Sequence, residues 1–453
     1  MLSVTVHDLG EDLKIKHRLN AWSYQQSALM SFKGWQYVGL YRPSPKHPTK
    51  ARHVVLGRRC LYGPKHWEYI QFDDWDQTAD DGHNTISIGI CRGDGTIHIS
   101  FDHHCDQLKY RCSVKGLALD PFRHSWEASL FGTIVNSLGK GLEPFPVSYP
   151  RFVSVGDNML LELRIGKAGA GSDILYHYDA SSSSWKLVGT YLVGTGCNPY
   201  PNGLSYDENR HRLHVSWTNR HFIDYEGAED PNSDIHKAQA GPNGPENNQD
   251  LCYACSDDYG VSWFARSAKG ELEVGDLIEN VSSGGIDSTG KNVVAIKIPK
   301  NSGIMNQESQ CVDSKGGFHV LNRDNTNGEE RWNHYYLPSN SEIWRTTTLP
   351  DCIPTATGPR GEIAYDSTSN ALFFLLPSNE PGNTTLTVLR APLHDDGVPE
   401  DFELVWQGDG FDGEPLVDAP AILEHGLLSV FTTKVATETH GRMVVVLDFE
   451  IEK

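Results

Sequence analysis

The fold this sequence predicts is all-β: a seven-bladed β-propeller in a single domain spanning residues 1–453. Short strands with alternating apolar and polar residues recur along the chain, each after a turn rich in Asp, Gly or Asn. Their spacing is close to 50 residues, the period of a blade built from several short strands. Gly (43), Trp (11) and Tyr (18) are abundant while Met (5) is rare, and no segment sustains helical periodicity over several turns.

The units read in order as GDGTIHISFDHH (93–104), GDNMLLELR (156–164), DENRHRLHVSW (207–217), DSKGGFHVL (313–321), DSTSNALFFLL (366–376) and EHGLLSVFTT (424–433). Anchored on Ile97, Met159, Leu213, Phe318, Leu372 and Leu427, they are separated by 62, 54, 105, 54 and 55 residues. The step of 105 is about twice the others, so a seventh unit is expected near residue 265. Ser256-Asp-Asp-Tyr-Gly-Val-Ser-Trp263 supports it, because it matches S-x-D-x-G-x-x-W, the Asp-box of propeller hairpins. In that box Ser and Asp bond the turn backbone, Gly permits the tight turn and Trp packs beneath. N-terminal strands around residues 35–41 and 53–56 are expected to complete the first blade and close the ring.

Composition removes several classes of function. The net charge is −20, from 39 Lys and Arg against 59 Asp and Glu, which argues against a nucleic-acid partner. An anionic ligand would therefore need a local basic cleft. No apolar run reaches the ~18 residues of a membrane span. Nine cysteines at irregular spacing are no disulfide scaffold, though one or two bridges could form. The N-terminal MLSVTVHDLGEDLK has no cationic stretch followed by an apolar run. A secreted monomer without its leader is expected; an intracellular protein is the alternative.

Strand alternation locates candidate chemistry. In 97–104, Ile97, Ile99 and Phe101 form one face, and His98, Ser100, Asp102 and His104 the other. In 158–164, Leu161 and Leu163 oppose Glu162 and Arg164; in 213–220, Leu213, Val215 and Trp217 oppose His214, Ser216, Thr218 and Arg220. Three polar faces thus end in His or Arg, and strand ends at one mouth of a propeller surround a common funnel. His98, His214 and His319, each following an apolar residue, read as structural groups bonded between blades.

Asp80-Asp-Gly-His83-Asn84, Asp102-His-His104, Leu108-Lys-Tyr110-Arg111, Ser148-Tyr149-Pro-Arg151-Phe152, and Leu163-Arg164 with the following Gly-rich stretch to Asp173 resemble motifs of a propeller group of polysaccharide lyases. Tyr200-Pro-Asn202-Gly203, Ser216-Trp217-Thr218-Asn-Arg220, Asn306-Gln307 and Trp332-Asn-His334-Tyr335-Tyr336 continue the match, over roughly residues 35–440. The group includes bacterial ulvan lyases and the fungal L-rhamnose-α-1,4-D-glucuronate lyase. The resemblance implies β-elimination at a glucuronate. The carboxylate is neutralised, the C5 proton is removed, the C4–O bond breaks, and an unsaturated uronate is left.

By this resemblance His83 and Tyr149 are the acid and base, in either order, while His104 and Arg164 bind and neutralise the carboxylate. His103 competes with its neighbour for that place; strand phase favours His104, and a turn at Asp102 would reverse this. Tyr200 and Arg220 would line the cleft, Asn84 would orient substrate or serve only as a turn residue, and Arg151, Asn202, Arg331, His334 and Tyr335 complete the substrate-binding set. The implied partner is an acidic plant or algal polysaccharide, foremost the terminal rhamnosyl-glucuronate of arabinogalactan (gum arabic), alternatively ulvan.

No cofactor is required for this chemistry. Relatives imply a structural calcium, although no loop has the alternating-acid pattern. Cys252-x-x-Cys255 could form half a zinc site with His221 or Cys197, and otherwise a buried thiol pair or disulfide. Residues 226–248, rich in Asp, Asn, Gly and Pro, read as a long blade-to-blade loop near the cleft. Two other classes compete. A sialidase-type hydrolase would use Tyr335 or Tyr336 as nucleophile, and a non-catalytic lectin would repeat its pocket in every blade.

Overall fold

The computed structural model describes residues 2–12, 15–63, 66–222, 245–265, 277–350, 355, 358–380, 383–399, 401–438 and 440–451. Seven sheets form the blades of a propeller. Blade 1 comprises Leu29–Phe32, Trp35–Pro43, Arg52–Cys60 and Glu68–Gln77; blade 2 comprises Ile86–Ile90, Ile97–Phe101 and Tyr110–Cys112. Blade 3 runs through Val147–Val155, Asn158–Ile165, Ser172–Asp179 and Ser184–Val193, with His104–Asp106 and Ile286–Asp287 added at its two edges. Blade 4 contains Cys197–Asp207, Arg212–His221, Asn248–Ser256, Ser262–Phe264 and Leu277–Asn280. Blade 5 is Ser309–Val312, Phe318–Asp324, Arg331–Leu337 and Arg345–Thr348; blade 6 is Glu362–Asp366, Ala371–Glu380, Asn383–Pro392 and Glu403–Asp409. In blade 7, Leu416–Val417, Leu427–Lys434 and Met443–Glu450 are joined by the N-terminal Val4–Glu11.

Blade stacking follows from the two-residue period of a strand. In Ala371–Glu380, Leu372, Phe374 and Leu376 pack with Trp332 of blade 5. Phe373 and Leu375 pack the other way, with Val430 and Val445 of blade 7. Both faces of the strand are therefore buried, which explains its unbroken apolar run. The first strand of each blade lies innermost and meets its counterparts from Leu29–Phe32 round to Leu416–Val417. The helix Ala419–His425 packs on Leu29–Phe32, and its N-cap Asp418 accepts hydrogen bonds from Ser31 and Gln36.

The blade count agrees with the expectation, but two assignments are corrected. The strands at Trp35–Pro43 and Arg52–Cys60 belong to a complete blade 1, and ring closure falls to Val4–Glu11, which pairs antiparallel with Met443–Glu450. The region near 265 is no separate blade. Ser262–Phe264 pairs with Asn248–Ser256 inside blade 4, and the step of 105 reflects insertions in that blade. The Asp-box does form as read. Ser256 Oγ accepts from Gly260 N (2.8 Å), Asp258 Oδ1 accepts from Ser262 N (2.8 Å), and Trp263 is fully buried against Tyr191. Residues 226–244 of the expected loop lie outside the described residues.

Candidate active site

One cleft gathers aromatic and basic side chains at a mouth of the ring. It is about 380 Å³ and lined by Trp22, Tyr24, His83, Tyr149, Tyr200 and Arg220, together with Arg18, Gln307, Arg360 and Glu414.

The turn between blades 1 and 2 supplies the first group. Asp81 Oδ1 accepts from His83 Nδ1 at 2.6 Å and Oδ2 accepts from His104 Nδ1 at 2.7 Å. The two imidazoles stack with centroids 4.0 Å apart. A carboxylate can only accept, so both Nδ1 atoms carry a proton, and a neutral ring held this way has its lone pair on Nε2. Burial, followed by the neighbouring His83, pulls the His104 pKa down to about 3, so its ring is neutral at neutral pH. Burial alone would raise Asp81, but the bonds from His104 and His83 outweigh it and hold the carboxylate ionised.

Blades 3 and 4 supply two matching Tyr and Arg pairs. Tyr149 lies at a register break in Val147–Val155 and adopts a left-handed backbone (φ 53°). Bulges of this kind redirect side chains beside functional sites. Tyr200 precedes a break at Pro201/Gly203 in the equivalent strand of blade 4. Each Tyr is followed by a proline, which has no N–H to offer the ladder. Arg164 and Arg220 stand near the ends of the second strands of the same blades.

The guanidinium of Arg164 lies 4.6 Å from the Tyr149 ring centre and 4.8 Å from that of Tyr200. Among the described residues its Nε and Nη1 are buried and make no hydrogen bond; the same holds for Arg220 Nε and Gln307 Nε2. These are the donor atoms a carboxylate would engage. Asp173, paired in register with Arg164, does not cancel this charge. Burial, then Glu162, pushes its carboxyl well above the usual carboxylate range. Burial also pushes the Tyr149 hydroxyl up, whereas Tyr200 is lowered because Arg164 and Arg220 outweigh its burial.

Of the residues expected from sequence, His83, Tyr149, Tyr200 and Arg220 line the cleft, with buried His104 and Arg164 packed directly against His83, Tyr149 and Tyr200. The others do not line the cleft. His103 is buried beyond the turn, its Nε2 3.3 Å from both Ser100 Oγ and the Lys109 carbonyl. Asn84 donates to Asp102 (2.7 Å) beneath the His83 turn. Arg151 is locked in a buried pair with Glu162 (3.1 Å) and also donates to the Pro201 carbonyl. Asn202 bonds Ser216 and the Glu308 amide and lines the central channel, not the cleft. His334 is buried against His319 (2.9 Å), Tyr335 donates to buried Asp324, and Arg331 pairs with exposed Glu329. Arg151, Asn202, His334 and Tyr335 face between strands or blades because their strands are covered on both sides.

The proposed zinc pair fails on strand geometry. Cys252 and Cys255 lie three apart in Asn248–Ser256, so they point to opposite faces. One enters the core toward Trp217 and Trp263, the other that toward Phe318 and Trp344. All eight described cysteines are unbridged, and Cys352 lies outside the described residues. Donor atoms of Asp81, His83 and His104 do fall within 4.8 Å of one another. A cation there would compete with the two hydrogen bonds that orient the rings. Tyr336, the other tyrosine considered as a nucleophile, stacks on buried His319.

Sequence reading missed Asp81, Trp22, Tyr24, Arg18, Arg360 and Glu414. Asp81 stands two residues before a histidine, a usable signal for an orienting carboxylate. The rest come from segments far apart in the chain.

Comparison with known proteins places this geometry in context. The family model described as a BNR repeat-containing family member matches residues 35–352. The ulvan lyase, long isoform, of Alteromonas sp. (strain LOR) is 24% identical over 315 residues, covering 60% of this chain and 29% of that protein. Its counterpart from Pseudoalteromonas sp. (strain PLSV) is 25% identical over 322 residues, with the same coverage. The chain thus spans under a third of the length of the curated relatives it matches. Among solved structures, polysaccharide lyase Uly1 superposes with a TM-score of 0.69 at 16% identity over all of both chains. A PL25 ulvan lyase bound to -[GlcA(1-4)Rha3S]- gives 0.60 at 14% identity, covering 97% of this chain and 95% of that one. With its seven blades and the match over most of its length, the chain belongs to the BNR repeat-containing family.

Proposed function

We propose that this protein is a polysaccharide lyase that cleaves the bond to O4 of a uronate by β-elimination. The observation that carries the reading is the buried Arg164, its Nε and Nη1 without partners, beside Tyr149 and the His83–Asp81–His104 cluster. Arg164, assisted by Arg220, holds the uronate carboxylate and stabilises the charge that builds on it as C5–H is broken. His83 takes the C5 proton on Nε2, since Asp81 fixes the proton of the ring on Nδ1. Tyr149 protonates the departing oxygen; a phenol whose pKa is raised keeps its proton until an alkoxide develops nearby. The C5–H electrons form the C4=C5 double bond, the C4–O bond breaks, and the leaving chain departs with a hydroxyl.

Similarity to ulvan lyases favours an ulvan-type substrate over the arabinogalactan terminus expected from the sequence. In either case the partner is an acidic polysaccharide met outside the cell. The test is to incubate the protein separately with ulvan and with gum arabic and follow the ultraviolet absorbance of an unsaturated uronate. A rise with ulvan that His83→Ala removes is the expected result. A rise with gum arabic alone, accompanied by free rhamnose, reverses the substrate choice. Hydrolysis products without the double bond refute the lyase.

A further inference from the structure

The wall facing Tyr149 and Arg220 is built by residues outside the family match at 35–352: Arg18, Trp22 and Tyr24 before it, Arg360 and Glu414 after it. This wall is tied to the catalytic turn. Asp80 accepts from the backbone amides of Lys16 (3.1 Å) and His17 (2.9 Å). Tyr24 donates its hydroxyl to the Gly82 carbonyl (3.2 Å). A Cβ at Gly82 would come within 2.9 Å of the Arg18 carbonyl and 3.1 Å of Trp22 Nε1, so the residue between Asp81 and His83 must be small for the indole to sit there.

The rings form a row. Trp22 and Tyr24 are 5.7 Å apart with planes 11° apart, and Tyr24 and His83 are 5.4 Å apart at 19°. Trp22 is fixed further by donating to the Arg18 carbonyl, while the Arg18 guanidinium sits 4.2 Å over the indole and donates to the Asp412 carbonyl. Tyr24 is buried; Trp22 is only half-buried and lines the cleft. With Tyr24 stacked on it and Arg18 over it, the rigid indole offers the cleft its exposed flank, an apolar surface that suits a pyranose ring.

We infer that Trp22 is a sugar-binding platform for the residue of the polysaccharide chain adjoining the uronate, and that it sets which neighbouring sugar is accepted. The inference rests on the lyase reading of the same cleft. Its ligand class is a pyranose ring within a uronate-containing chain. Trp22 binds and orients; it takes no part in the proton transfers.

The experiment compares wild type, Trp22→Ala and Trp22→Phe on ulvan by initial rates of double-bond formation. The expected result is a KM about tenfold higher for Trp22→Ala with kcat within about twofold, and recovery of most of the KM by Trp22→Phe. Ulvan binding is measured in parallel by calorimetry in a His83→Ala background, where Trp22→Ala should weaken affinity by a similar factor. Unchanged affinity in that background overturns the inference, as does a loss confined to kcat, which would make Trp22 only a support of the Gly82 turn. If wild type forms no double bond on any uronate polymer, the lyase reading fails, and the calorimetric comparison still decides whether Trp22 binds the polysaccharide.

Discussion

His83 and His104 stack face to face at 4.0 Å while donating to opposite oxygens of one carboxylate, Asp81. Two adjacent imidazoles would repel if both were protonated. Burial and the neighbouring His83 outweigh the shared carboxylate and keep His104 neutral, with its Nε2 unprotonated. Asp81→Asn should break this arrangement, because an amide can donate to one ring and so impose the opposite tautomer. We expect kcat to fall by about a hundredfold or more. An unchanged circular dichroism spectrum and melting temperature within a few degrees would show that the loss is one of orientation.

Tyr149→Phe should lower kcat by about 10²–10⁴-fold, the range for losing a general acid, with little change in KM. Steady-state rates on ulvan check it, and near-normal turnover would remove Tyr149 from the chemistry.

Arg164→Ala should cost about 2–4 kcal/mol of transition-state stabilisation, as the loss of one oxyanion donor does. Asp173→Asn should leave kcat/KM within about threefold, because burial and Glu162 already push that carboxyl toward its uncharged form. Comparing the two variants by kcat/KM separates a residue that holds substrate from a neighbour that merely lies in register with it.

Acid should weaken the fold early. Burial lowers the pKa of His98, His103 and His104 to about 3, against 6.5 when exposed. The folded state therefore binds fewer protons than the unfolded chain between these values, and stability is lost as pH falls from 6.5 toward 3. Each histidine contributes up to about 2 kcal/mol of loss between pH 6.5 and 5. Asp81, held below the carboxylate range, adds to the loss at lower pH. Denaturant unfolding at pH 7.5 and pH 5 tests the sign; His103→Gln should flatten the dependence, since His103 lies outside the cleft.

The repeats were legible because most units carry a turn followed by a two-residue alternation, as in Ile97–Phe101. Blade 1 was not counted as a unit of its own because the turn before Trp35, Lys33-Gly34, lacks the acidic residue that marks the turns of the other units. The His103/His104 ambiguity is physical. Ile97–Phe101 ends before a left-handed Asp102 (φ 56°), so alternation cannot be counted through the turn, and His104 opens a short strand paired to blade 3. Tyr149-Pro150 and Tyr200-Pro201, 51 residues apart, repeat one cleft position in consecutive blades. That signal was readable. The Trp22 wall was not, since nothing local relates residue 22 to residues 360 and 414.

Closing the ring with Val4–Glu11 also constrains how the molecule is made and lost. His7 donates to Asp448 at 3.0 Å, a contact spanning 441 positions of the chain, whereas the main strands of the other blades are joined by consecutive hairpins. Such a long-range seam has a large loop-closure entropy and is expected to zip last. The cleft borrows its Trp22 wall from the stretch immediately after that seam. Catalytic competence should therefore lag behind the appearance of β structure during refolding, and hydrogen exchange should open Val4–Glu11 before any strand of blades 3 or 4.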